Sequence, residues 1–170
     1  MSNVLIGIIG VILFIGLALA GALILGDDFS TASNQSKAAR VVQTLQQVSS
    51  AANMYKLKTG RALYEEDNAL LVPRFLKAYP DSPIVGATTD RRLQVKLSNA
   101  INNNGPAVPG AEANFVTVRI YPDTEANVEI CRAIQEQATG ALVTTLGSAD
   151  GSRPLGCGYF GVTLYAWARI

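Results

Sequence analysis

The chain opens with "MSNVLIGIIGVILFIGLALAGALILG", a run without a charged side chain, and then meets Asp27 and Asp28 together. This run constrains everything else. Val4 to Leu25 meets the ~20 apolar residues that cross the hydrocarbon of a bilayer. A helix satisfies its own backbone there without help from polar side chains. Gly7, Gly10, Gly16, Gly21 and Gly26 would each cost ~1 kcal/mol against alanine in water. Among packed apolar helices they let neighbours approach closely.

Three uses fit such a segment. A cleaved secretion signal has a basic n-region and a small-residue cleavage site. Ala18-Leu19-Ala20 has the second feature, but no Lys or Arg precedes the run. A permanent membrane anchor fits the length. So does the buried core of an assembly, in which copies of the segment pack on one another.

The continuation separates these uses. No proline occurs before Pro73. From Ser30 to Leu57 the spacing predicts a helix with one apolar stripe: Val41, Leu45, Val48, Ala52 and Tyr55. Lys37, Gln43, Gln47 and Ser50 fall on its other faces. Lys56 and Lys58 suit a C-terminal dipole, and Gly60 is placed for the stop. Residues 1–26, a transmembrane or assembly-core helix, and 27–59, its amphipathic continuation, are expected to form one helix of about 58 residues, or ~87 Å at ~1.5 Å each.

Residues 60–170 are expected to form a globular α+β head on an antiparallel sheet, with the long helix as its spine. A short helix is expected near Pro73–Lys77. "RRLQVKLSN" alternates Leu93, Val95 and Leu97 as a strand does, and "NNNGPAVPGAEA" is a turn-rich connection. "NFVTVRIYP" is the clearest strand, with Val116, Val118 and Ile120 on one face. "DTEANVEICRAIQEQATG" is a helix capped by Asp123 and ended by Gly140, its apolar face made of Val128, Cys131, Ile134 and Ala138. "ALVTTLG" and "YFGVTLYAWARI" are expected as strands, with Cys157 in a Gly-rich turn before the last one.

The composition argues against several functions. A net charge of +1 lacks the basic excess of a nucleic-acid binder. Histidine is absent, and with it the usual general base and the commonest zinc ligand. "GCGYFG" matches G-x-G-x-x-G at Gly156, Gly158 and Gly161, but a dinucleotide site needs a helix to follow, and a strand is expected there. Glu65–Asp67 reads as a solvated loop, and Asn34-Gln35-Ser36 is a glycosylation sequon inside a helix. No cofactor, metal ligand set or catalytic group is expected, and the chain is not read as an enzyme. Cys131 and Cys157 are either one disulfide of an oxidising compartment or two buried thiols. A bridge would pin the C-terminal strand to a helix and stabilise by ~3 kcal/mol through loop closure.

Taken together, the uncharged span, "SKAARVVQTLQQVSSAANMYKLKTG", "LLVPRFLKAYPDSP" and "VEICRAIQEQATG" followed by "GCGYFG" make the chain resemble the type IV pilin family, its IVb branch above all. The resemblance implies a pilin-like fold and a late disulfide matching Cys131 and Cys157. It implies a homo-oligomeric helical filament whose centre is packed by Val4, Leu5, Ile8, Ile9, Gly10, Ile12, Phe14, Gly16, Leu19 and Leu23. It also implies residence in the inner membrane before assembly, an extracellular surface pilus afterwards, a prepilin peptidase and assembly machinery as partners, and a modified (methylated) N-terminus at Met1. Two features depart from the family: Leu5 stands where a glutamate is usual, so the acid thought to meet a neighbour's N-terminal amine is missing, and no leader is visible before Met1, as expected of a chain numbered from its mature residue or with the leader already removed. Two alternatives follow, a minor pilin or pseudopilin of a secretion or DNA-uptake machine, and a singly anchored extracytoplasmic binding protein.

Overall fold

The computed structural model describes the backbone of residues 2–64, 67–86, 89, 90, 94–99, 113–149 and 151–170. The side chains of 2–6 and 22–28 are outside the description. Helix α1 spans Ser2–Thr59, 58 residues, and Gly60 ends it with φ of 65° and its N–H donating to the Lys56 carbonyl at 2.9 Å. The chain divides into two compact units, Met1–Ser33 and Asn34–Ile170.

In the second unit the apolar stripe of α1 becomes core. Val41, Leu45, Val48, Ala52 and Tyr55 are buried, as the spacing requires, while Lys37, Gln43, Gln47 and Ser50 are exposed. The stripe reaches one step further back, to Ala38, and takes in Ala51 and Ser49 beside it. The Ser49 hydroxyl donates to the Arg169 carbonyl at 2.6 Å, which ties α1 to the end of the last strand.

Four antiparallel strands make the sheet: β1 (Lys96–Ser98), β2 (Phe115–Ile120), β3 (Leu155–Phe160) and β4 (Thr163–Arg169), in spatial order β1-β2-β4-β3. Helix α2 spans Glu125–Thr139. Leu97, then Val116, Val118 and Ile120, then Leu164, Ala166 and Ala168, then Cys157 alternate along their strands. They join the α1 stripe and Ile130, Cys131 and Ile134 of α2 in one buried cluster. The opposite face of the sheet carries a smaller cluster of Tyr165, Trp167 and Ala149 with Phe115 against it.

Several expectations are corrected. The short helix is a 3-10 turn at Asp67–Leu71, not Pro73–Lys77. It starts there because the Asp67 carboxylate accepts the Tyr64 N–H at 2.9 Å, and it stops before Pro73, whose ring disfavours helix in the preceding residue. The cap of α2 is Thr124 rather than Asp123: the Thr124 backbone is extended and its side chain accepts the Asn127 N–H. "ALVTTLG" is not a strand. The Ala141 N–H and carbonyl are both taken by the Thr139 hydroxyl, and the Val143 N–H by the Glu136 carboxylate, so the backbone has no ladder to offer. "YFGVTLYAWARI" is not one strand but the end of β3, a two-residue turn and β4. Gly161 sits first in that turn with φ of 61°, the sign a type II′ hairpin demands there. Cys157 therefore lies within β3, not in a turn. Leu93 and residues 102–112 of the turn-rich connection lie outside the described residues, as do Glu65 and Glu66; Val95 and Leu97 are buried as expected.

The paired glycines of β3 are packing residues. A Cβ on Gly156 would stand 2.5 Å from the Trp167 ring, and one on Gly158 would stand 2.7 Å from the Gly147 carbonyl oxygen. We expect Gly156→Ala to cost ~1–3 kcal/mol by overpacking. Gly147→Ala, where a Cβ meets nothing within 4 Å, should stay within ~0.5 kcal/mol of wild type. Thermal unfolding with near-ultraviolet dichroism of Trp167 reads both. Equal unfolding temperatures for the two variants would contradict this account of the glycine.

Candidate functional site

The first unit carries the feature that stands apart from an ordinary folded domain. Ile8, Ile9, Val11, Ile12, Leu13, Phe14, Ile15, Leu17 and Leu19 are each between 52% and 74% exposed. Consecutive positions are included, so the apolar surface runs around the helix and not along one stripe. At Gly7, Gly10, Gly16 and Gly21 an added Cβ would meet nothing within 4 Å, so no contact inside the chain demands glycine there. Among the described residues no helix is long and apolar enough to cross a membrane. The described apolar side chains run over 7–21, and the flanks of the sequence run, 4–6 and 22–25, lie outside them.

Of the expected packing residues, Ile8, Ile9, Gly10, Ile12, Phe14, Gly16 and Leu19 are thus on this open surface. Val4, Leu5 and Leu23 belong to α1, but their side chains lie outside the described residues, as do Met1, Asp27 and Asp28. Phe29 is 78% exposed.

The second unit brings the two cysteines together. Cys131 and Cys157 form a disulfide with Cα atoms 5.3 Å apart, and both are buried. The bond joins α2 to β3, the edge strand of the sheet. The same edge is closed in two further ways. The Cys157 N–H donates to the Gln135 side-chain oxygen at 2.9 Å. The Tyr159 N–H donates to the Gly147 carbonyl, and the Tyr159 carbonyl accepts the Ala149 N–H. An open strand edge is a template for pairing with another chain, and here the Cys157 N–H and both backbone groups of Tyr159 are occupied.

Elsewhere, the G-x-G-x-x-G match at Gly156, Gly158 and Gly161 lies in a strand and its hairpin turn. Asp67 caps a turn, and the sequon Asn34-Gln35-Ser36 lies within α1. Burial raises the Tyr79 phenol well above the ordinary tyrosine range. Its hydroxyl, with Asn68 Oδ1 and Ser82 Oγ, is buried without a hydrogen-bond partner. These three were invisible in the sequence, because single hydroxyls and amides in a loop carry no periodic signal. Ala38 had one: it continues the four-three spacing of the stripe backwards.

Compared with known proteins, the chain matches no family model, no curated protein and no solved structure.

Two outcomes follow from the head. Reducing the disulfide, or Cys157→Ser, should lower stability by ~3 kcal/mol and speed proteolysis of the segment around β3. Unchanged unfolding after complete reduction would show that the sheet edge holds without the bridge. The second concerns pH. An unfolded tyrosine ionises near pH ~10, whereas folded Tyr79 keeps its proton above that. The folded state then binds more protons than the unfolded one, so the stability held below pH ~10 is lost as pH rises, by up to ~1.4 kcal/mol per unit. Tyr79→Phe should remove that part of the alkaline slope, and an identical slope in the variant would refute it.

Proposed function

We propose that this protein is a structural subunit of a type IV pilus-like extracellular filament, held in the inner membrane by its N-terminal helix until assembly. What carries the reading is the apolar surface around 7–21, which is uncovered among the described residues. Exposed apolar area of that extent marks a membrane or protein contact. The glycines favour the second as the final state. Each weakens a helix, nothing in the chain requires them, and each opens a groove for a neighbouring helix. Moving an apolar helix from lipid into a bundle gains little hydrophobic free energy, since both surroundings are apolar. Close packing of small residues must supply the difference. A contact between unlike surfaces that does not close on itself extends into an open helix.

The α1 stripe supports the same reading. It makes a firm core with the sheet, so the helix that carries the apolar surface is also built into the folded unit. The disulfide suits a subunit that works outside the reducing cytoplasm. Leu5 favours a second reading as a minor or pseudopilin-like subunit, because without a glutamate there is no buried acid to be paired by a neighbour's amine. Docking then rests on packing, and Leu5→Ala should be mild.

Electron microscopy of purified material separates the readings. Filaments are expected; particles dispersed in detergent would point to a singly anchored binding protein. Ile12→Asp should abolish filaments, because the buried charge has no partner. Gly10→Leu is the sharper variant. It should leave membrane insertion intact while filaments are lost or altered, and normal filaments would refute close packing at this site.

A further inference from the structure

The head contains a cavity of about 180 Å³ between the 3-10 turn and the residues that follow it. Asn68, Tyr79, Asp81, Ser82, Gly86 and Gln94 line it. Three of these carry buried polar atoms that find no hydrogen-bond partner among the described residues: Asn68 Oδ1, the Tyr79 hydroxyl and Ser82 Oγ. Ser82 is only 2% exposed, so water outside the cavity does not reach it. A buried polar atom left unpaired forfeits its hydration without return, and three at one place is a concentration that a loop does not need for its own fold. The site is also held still. The Gly86 N–H donates to the Ser82 carbonyl at 2.7 Å, and Pro80 and Pro83 fix φ on either side of Ser82.

We propose that this cavity binds a neutral polyhydroxy molecule the size of one sugar ring. The chemistry of the lining selects the class. Asn68 Oδ1 only accepts, the desolvated Tyr79 phenol keeps its proton and donates, and Ser82 does either. A hydroxyl both donates and accepts, so a molecule bearing several satisfies all three together. The one formal charge among the described lining residues is the carboxylate of Asp81, which repels phosphates and carboxylates. Asp81 is exposed and is the one carboxylate among the described lining residues, where a hard cation asks for six to eight oxygens with several carboxylates among them. Size narrows the class further. Drug-sized ligands fill cavities from ~300 Å³ upward, so about 180 Å³ admits one ring and not two. Waters held in the same space would each give up freedom, a cost that a single molecule carrying the same hydroxyls avoids.

The test uses the full chain, isotope-labelled in detergent micelles, titrated with D-glucose, D-galactose and, separately, sodium phosphate. Saturable amide shifts at Ser82, Gly86 and Val95 with at least one sugar are expected, and none with phosphate. Ser82→Ala and Tyr79→Phe should each weaken binding about tenfold, the loss that removal of one hydrogen bond brings. Their unfolding temperatures in the absence of sugar should stay at the wild-type value or rise. Should Tyr79→Phe unfold early, Ser82→Ala decides alone, since it removes a single oxygen. No saturable shift up to about 100 mM of either sugar, far above a millimolar Kd, would overturn the proposal and leave the cavity to water. Saturation by phosphate, or binding indifferent to Ser82→Ala, would overturn it equally. None of these outcomes depends on whether the chain forms filaments.

Discussion

The head depends on one packing interaction, the seating of the α1 stripe in the core. Leu45, Val41 and Val48 are completely buried, and each such side chain contributes ~1.5–3 kcal/mol on leaving water. The sheet alone could not provide this. Its face toward the core is made of Val116, Val118, Ile120, Leu164, Ala166 and Ala168, a surface that needs a partner layer. α1 is that layer, with α2 beside it. The consequence reaches beyond stability. Since residues 34–59 of the helix are part of the folded core, whatever the same helix meets at 7–21 acts on a continuous element of secondary structure.

The C-terminal half closes the structure around that core. β4 is central in the sheet, paired on one side with β2 and on the other with β3. β3 would be an open edge, yet a disulfide, a glutamine side chain and the 147–149 backbone occupy it. Glycine at 156 and 158 makes this possible, because side chains there would strike Trp167 and the Gly147 carbonyl. Trp167 in turn donates from Nε1 to the Arg153 carbonyl at 3.2 Å, so the segment before β3 is fastened over the outer face of the sheet. In the filament proposed above, blocking this strand edge would keep edge pairing from competing with contact through the helix.

The two halves of α1 thus differ in what completes them. The second half buries its stripe from Ala38 to Tyr55 in the head. Over 7–21 the first half leaves its apolar side chains uncovered among the described residues, and the proposed polymer is the simplest arrangement that would cover them with copies of the same surface. The polar cavity is a separate feature of the head, on the side of the chain's chemistry and not of its assembly.

Periodicity was the part of this protein legible in the sequence. The four-three spacing from Val41 to Tyr55, the alternation in 115–120, the α2 face at Cys131 and Ile134, and Gly60 and Gly140 as helix stops all follow from local geometry, because each depends on residues within a turn or a strand of one another. The uncharged run likewise announced a segment that needs apolar surroundings. What local pattern could not decide was competition for backbone groups. Thr139 and Glu136 take the donors of 141–143, so an apparent strand became a coil; Asp67 moved the 3-10 turn ahead of Pro73; and Thr124 displaced Asp123 as the cap. Whether Cys131 and Cys157 are bonded or are two buried thiols, and the pairing of β4 with β2, required residues distant in sequence to meet. Only the tertiary structure decided these, because their physical cause is contact across the fold and not spacing along the chain.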